Sequence, residues 1–150
     1  MPKSLLRRSW LMVALASALF AGCASKSPVT DSALAPAMVV ERFLRAANTN
    51  DLDTMGRLFG TRAGPVAERD SRKELDDRMF VLASVLRHTD YQILNEQIVP
   101  GRRHEATRLV VRITNGERRY DLPFTLVQAD RWGWLIESIP LELLTNRGGR

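Results

Sequence analysis

The sequence predicts a single α+β domain: N-terminal helices packed on a curved antiparallel sheet of about four strands. Three observations predict it. Apolar residues recur at helical spacing between residues 36 and 86, then alternate at strand spacing between 91 and 138. Helical signals precede strand signals instead of interleaving with them, which favours segregated layers over βαβ winding. With 150 residues, 45% of them hydrophobic and 26% charged, the chain has material for one real core and too little for two comfortable domains.

A distinct segment precedes the first helix. Residues 1–22 run from a basic start, "MPKSLLRRS", through an apolar stretch, "WLMVALASALF", to the small residues "AG" before Cys23. That is the layout of a secretory signal peptide. Eleven apolar residues fall short of the roughly 20 that a spanning helix needs. The ending "LFAGC" resembles the bacterial lipobox, with Phe20 where leucine is commonest and with Ala21 and Gly22 matching. The resemblance implies cleavage between Gly22 and Cys23, a diacylglyceryl group on the Cys23 sulfur, and acylation of the new amino group. The lipid bilayer is then the first partner, held through acylated Cys23, since two or three acyl chains anchor stably where one does not. The other readings of Cys23 are a buried core thiol and a redox group, but the chain has no second cysteine for a CxxC pair or a disulfide. In this family an Asp after the cysteine holds a lipoprotein in the inner membrane; Ala24 implies the outer membrane, facing the periplasm. Residues 23–35 read as a lipidated tether: "ASKSPVTDSALA" is small, polar and free of aromatic residues.

The sequence pI of about 10.1 invites a nucleic-acid reading until the charge is located. Without Lys3, Arg7 and Arg8 the chain carries nineteen basic against seventeen acidic residues. That balance is ordinary, and no nucleic-acid partner is expected of an exported, lipid-anchored chain.

The domain is expected over residues 36–144, with 145–150 as a flexible tail. Pro36 suits a first helical turn, because its missing donor would be unpaired there anyway. Val39, Val40, Phe43, Leu44 and Ala47 form the apolar stripe of this helix. Asn48, Thr49 and Asn50 end it. Asp51 then caps a short second helix, in which Leu52, Met55, Leu58 and Phe59 recur at helical spacing before Gly60. "TRAGPVAERD" reads as a loop. Ser71 and Glu74 make the S-x-x-E capping box of a third helix, whose buried face is expected to be Leu75, Met79, Leu82, Val85 and Leu86. His88 falls near its C-terminal end, where a positive charge suits the helix dipole.

Strands come next. Residues 91–99 form the first, and "PGRR" turns the chain. In residues 104–114 Leu109, Val111 and Ile113 share one face while Arg108 and Arg112 share the other. Asn115-Gly116 is a preferred two-residue hairpin turn. Tyr120, Leu122, Phe124 and Leu126 then lie on one face of the next strand, in which Pro123 predicts an edge or a bulge. "WGWLIESI" supplies the last strand.

With these elements in place, "VVERFLRAANTNDLDTMGRLF" and "FTLVQADRWGWLIESI" resemble the opening helices and closing strand pair of the nuclear-transport-factor-two-like superfamily, over residues 36 to about 140. The resemblance implies a cone-like domain with a cavity, used by some members for catalysis and by many for binding or dimer contacts. Its catalytic members, isomerases and dehydratases, need a base and an oxyanion donor inside the cone. By residue type His104 and Asp121 are the candidate bases here, with Tyr91 and Tyr120 as donors. No lipase elbow, Walker loop or zinc-protease motif occurs. His88 and His104 are sixteen residues apart with no carboxylate at metal-ligand spacing, so no metal and no cofactor is expected. "RRHEATR" and "ERRY" place an arginine-rich strip near Trp132 and Trp134, interleaved with Glu96, Glu105 and Glu117. The expected function is a non-catalytic binding or interaction module anchored in the bacterial envelope, with an envelope protein or a second copy as partner. The alternative is a small isomerase or dehydratase.

Overall fold

The computed structural model describes residues 34–145. The proposed signal peptide, cleavage point, lipidation site Cys23 and most of the tether lie outside the described residues, as do residues 146–150.

The chain is α+β, helices first and a four-stranded antiparallel sheet after. Helix α1 spans Pro36–Thr49 with Pro36 in its first turn, and it stops at Asn50, whose φ of 54° is left-handed. Asp51 caps α2 (Leu52–Leu58) by accepting from the Thr54 N–H at 3.0 Å. Phe59 is already extended, so the helix ends before Gly60 is reached. The expected loop after it holds structure: β1 (Gly60–Thr61) and β2 (Gly64–Pro65) form a minimal ribbon, followed by a 3-10 turn at Val66–Glu68. The capping box of α3 (Arg72–Val85) is complete, with Ser71 Oγ donating to Glu74 Oε2 at 2.7 Å and the Ser71 N–H to the same oxygen at 3.1 Å.

Strands β3 (Asp90–Ile98), β4 (Ala106–Asn115), β5 (Arg118–Ala129) and β6 (Gly133–Ser138) form a meander in sequence order. Three details differ from the expected pattern. β4 starts at Ala106, which leaves His104 in the preceding turn. Asn115 pairs with Arg118, so the hairpin turn is Gly116-Glu117, shifted by one residue. Gly116 alone takes positive φ, 60°, the glycine-first arrangement of a II′ turn. Pro123 lies on a central strand, but β6 pairs with β5 only from Thr125 onward. At Pro123, β5 therefore has a single neighbour, and a missing donor is tolerated there.

All three longer helices cover one face of the sheet. Val39, Val40, Phe43 and Leu44 of α1, Met55 of α2, and Leu75, Met79, Leu82 and Ala83 of α3 pack against Leu109, Val111, Ile113, Leu122, Phe124, Leu126 and Ile136 in one buried cluster. Val85, expected in that set, is 41% exposed; Ala83 and Leu86 are the buried residues of that turn. The opposite face carries ion pairs, half-exposed side chains and a small buried cluster of Val127, Ala129 and Leu135. The β3–β4 connection is fastened at that end, through Arg102 to Glu137 (2.7 and 3.1 Å) and the Gln128 N–H to the Glu105 carbonyl (2.8 Å).

The two sheet edges are treated differently. Phe59 forms a parallel bridge to Ile136, so the chain between α2 and β2 runs along β6. Among the described residues β3 is bordered by β4 alone, and its register shifts at a bulge between Ile93 and Asn95.

Candidate functional site

The residues singled out for acid-base chemistry do not share one site. His104 is exposed in the β3–β4 turn. It helps line a hollow of about 270 Å³ with Glu96, Ile98, Thr107 and Trp134, where the Glu96 carboxylate already accepts from Thr107 Oγ1 at 2.7 Å. Asp121 alternates with Leu122 and so faces away from the helices, where Arg112 grips it through two bonds of 2.8 and 2.9 Å. This ion pair holds the Arg112 guanidinium still further toward its charged form.

Tyr91 and Tyr120 lie on the helix side, each packed against the main core. The Tyr91 ring meets His88 edge-on at 5.5 Å. His88 itself sits beyond the end of α3. Its N–H donates to Asn48 Oδ1 (3.1 Å), its carbonyl accepts from Asn48 Nδ2 (3.0 Å), and Nδ1 lies 2.9 Å from the Leu86 carbonyl. These contacts fasten the exit of α3 to the end of α1 and make His88 a structural residue. Among the described residues no group of three or more His, Cys, Asp and Glu is placed to hold a metal ion.

A second pocket opens at the other end of the helix-covered face, where the C-terminal end of α3 meets the β4–β5 hairpin and the short helix α4 (Glu142–Thr145). It measures about 210 Å³. Val85, Ile113, Leu122 and Leu144 make its apolar lining, and Arg87, Arg118, Asn115 and Tyr120 its polar one. Alternation along β5 explains the combination: Arg118 and Tyr120 continue the inward row of Leu122, Phe124 and Leu126 past the point where the helices end. Six residues of β4 at ~3.4 Å each separate Thr107 in the first hollow from Ile113 in the second, roughly 20 Å. His104 and Tyr120 therefore cannot act on one small substrate.

The sequence pattern missed Arg87, and it placed Arg118 in the arginine-rich strip without assigning it to a pocket. They stand 31 positions apart in unremarkable charged surroundings. The inward parity of Arg118 was the one signal available.

Of the arginines in the strip, Arg102 alone has a carboxylate within ion-pair distance among the described residues. Asp121 pairs Arg112 and Glu137 pairs Arg102, while Glu105 turns to Arg62 at 2.7 Å and Glu96 takes a hydroxyl. Between residues 34 and 145 there are sixteen basic and sixteen acidic side chains. Any attraction for an ion is consequently local to a site rather than a field of the whole domain.

No family model, curated protein or solved structure matches this chain.

Proposed function

We propose that the chain is a bacterial envelope lipoprotein, anchored through acylated Cys23, whose α+β domain is a non-catalytic binding module. The observation that carries the second half is the filled helix-facing side of the sheet. Phe43, Leu44, Met55, Met79, Phe124 and Leu126 occupy the space where a catalytic cone needs a base and a donor. Of the four candidate groups, His104 lies at one end of that face, Tyr120 at the other, Tyr91 against His88 and Asp121 on the opposite face. Surface hollows at both ends, with the packed core between them, suit binding better than acid-base chemistry. The order of two helices, a short ribbon, a third helix and a four-stranded meander supports the nuclear-transport-factor-two-like reading of the fold. The anchor rests on "LFAGC" after a basic start and an eleven-residue apolar run, and the outer-membrane location on Ala24.

Lipid labelling tests the anchor. The wild-type chain incorporates labelled palmitate and loses residues 1–22, and Cys23→Ser does neither; normal processing and membrane retention of Cys23→Ser would sink the proposal. For the module, a His104→Ala/Asp121→Asn variant restores the phenotype of cells lacking the protein as well as wild type does. A folded double variant without activity in that assay moves the assignment to the isomerase or dehydratase alternative.

A further inference from the structure

The pocket at the hairpin end has a chemistry of its own, and the inference drawn from it deepens the binding-module reading, on which it rests. We propose that it binds an anionic amphiphile: a phosphate or carboxylate head between Arg87 and Arg118, and an alkyl chain over Val85, Ile113, Leu122 and Leu144.

The cations come first. Arg62, Arg72, Arg78, Arg102 and Arg112 all have a carboxylate within ion-pair distance. Arg87 and Arg118, like eight other arginines among the described residues, have none; what sets these two apart is that both line the same 210 Å³ pocket. Two guanidiniums beside one hollow repel each other unless an anion lies between them, and their planar forks match phosphate and carboxylate oxygens. Because the described residues balance in charge, this is a local preference. The Tyr120 hydroxyl and the Asn115 amide add two more donors to the same wall.

The apolar floor selects the tail. A free inorganic anion gains nothing from an apolar wall, whereas an alkyl chain is attracted in proportion to the area it buries; Ile113 and Leu122 are 2% and 1% exposed and only close the floor, so that area comes mainly from Val85 and Leu144. A hollow of about 210 Å³ that also takes the head has room for only a short alkyl segment. A longer chain has a continuation. Val81 stands one helical turn before Val85 and beside Phe80, and these two are 55% and 58% exposed. Apolar side chains of this size, exposed together on one helix and running up to a cationic pocket, make a track rather than scattered surface.

The same head-and-tail chemistry occurs in a free alkyl anion and in a membrane lipid, and the experiment separates the two. The full chain in neutral maltoside micelles is unfolded by heat with octyl phosphate, dihexanoyl phosphatidylglycerol, octyl glucoside or inorganic phosphate added. A ligand that binds only the folded state raises the midpoint. Octyl phosphate, the phosphatidylglycerol or both raise it, the larger rise naming the source, while octyl glucoside and inorganic phosphate leave it nearly unchanged. Arg87→Gln/Arg118→Gln weakens apparent affinity about tenfold or more, as loss of charge-assisted bonds requires. Val85→Asp, at an exposed position that leaves folding intact, does likewise, and Arg42→Gln/Arg45→Gln on the exposed side of α1 does not. The proposal is overturned if neither anionic amphiphile raises the midpoint, if inorganic phosphate matches them, or if the double pocket variant keeps the full rise. A negative result here with normal palmitate labelling of Cys23 removes only this inference, whereas a positive result with no labelling removes the anchor and leaves the pocket.

Discussion

At Gly64 the backbone takes φ +121°, and a Cβ there would stand 3.0 Å from Trp132 Nε1. Both the conformation and the space exclude a side chain. Gly64→Ala is expected to cost about 1–3 kcal/mol in denaturant unfolding and to shift the Trp132 emission, because the indole must move from the ribbon it covers. Seven residues on, the Ser71–Glu74 box makes a prediction of a different kind. The Ser71 hydroxyl, and then its backbone N–H, hold the Glu74 carboxyl below its ordinary range. An unfolded glutamate takes up its proton at higher pH than this one. Its contribution is therefore fully present above the unfolded value and lost as pH falls through the folded one. Ser71→Ala should lower stability at neutral pH by about 1 kcal/mol and flatten the acid limb of the stability profile, read by thermal unfolding across the carboxylate range.

For whole elements, burial ranks what matters. Phe124 is fully buried at the middle of β5, in the cluster shared by the helices and the sheet, and Phe124→Ala should cost about 3–5 kcal/mol. Phe80, equally aromatic but 58% exposed on α3, should cost within about 0.5 kcal/mol when replaced by Ala. Equal losses at the two positions by urea titration would contradict the layer assignment. The same contrast explains what could be read from the sequence. α1, α3 and the inward rows of β4 and β5 were legible because each buries a stripe whose period matches its own geometry. The β1–β2 ribbon was not, since four residues have no period and its pairing depends on a glycine conformation. The slip of the hairpin turn by one residue arose because Asn-Gly and Gly-Glu both satisfy turn chemistry, and cross-strand packing of Ile113 on Tyr120 chose between them. Site residues were less legible still. His104 and Asp121 were nominated by type, yet the turn holds one and Arg112 the other. The pocket assembles from four elements, α3, β4, β5 and α4, that only the fold brings together.

Across the whole molecule the core separates two ends that have little physical means of sensing each other. The His104 hollow and the Arg87–Arg118 pocket lie roughly 20 Å apart along β4, with fully buried aliphatic side chains between them. Stability changes from His104→Ala and Arg118→Gln should add within about 0.5 kcal/mol in the double variant, measured by denaturant titration. Larger coupling would mean that the two ends share a deformable element. Among the described residues no helix is long and apolar enough to cross a membrane. Fully extended, the proposed tether of residues 24–35 would reach at most ~40 Å, at ~3.3–3.6 Å per residue.

That short leash gives the bulge in β3 a meaning beyond local geometry. Copies held by the proposed Cys23 anchor on one leaflet would meet in two dimensions. A nine-residue strand with one free side, as β3 is, would under such crowding invite copies to zip together along the membrane plane. The register break between Ile93 and Asn95 interrupts the row of free backbone groups that such zippering needs, and Asp90 and Glu96 put like charges on any two edges that meet. The irregular edge is in this sense a social feature: it disfavours edge-to-edge pairing of one copy with another.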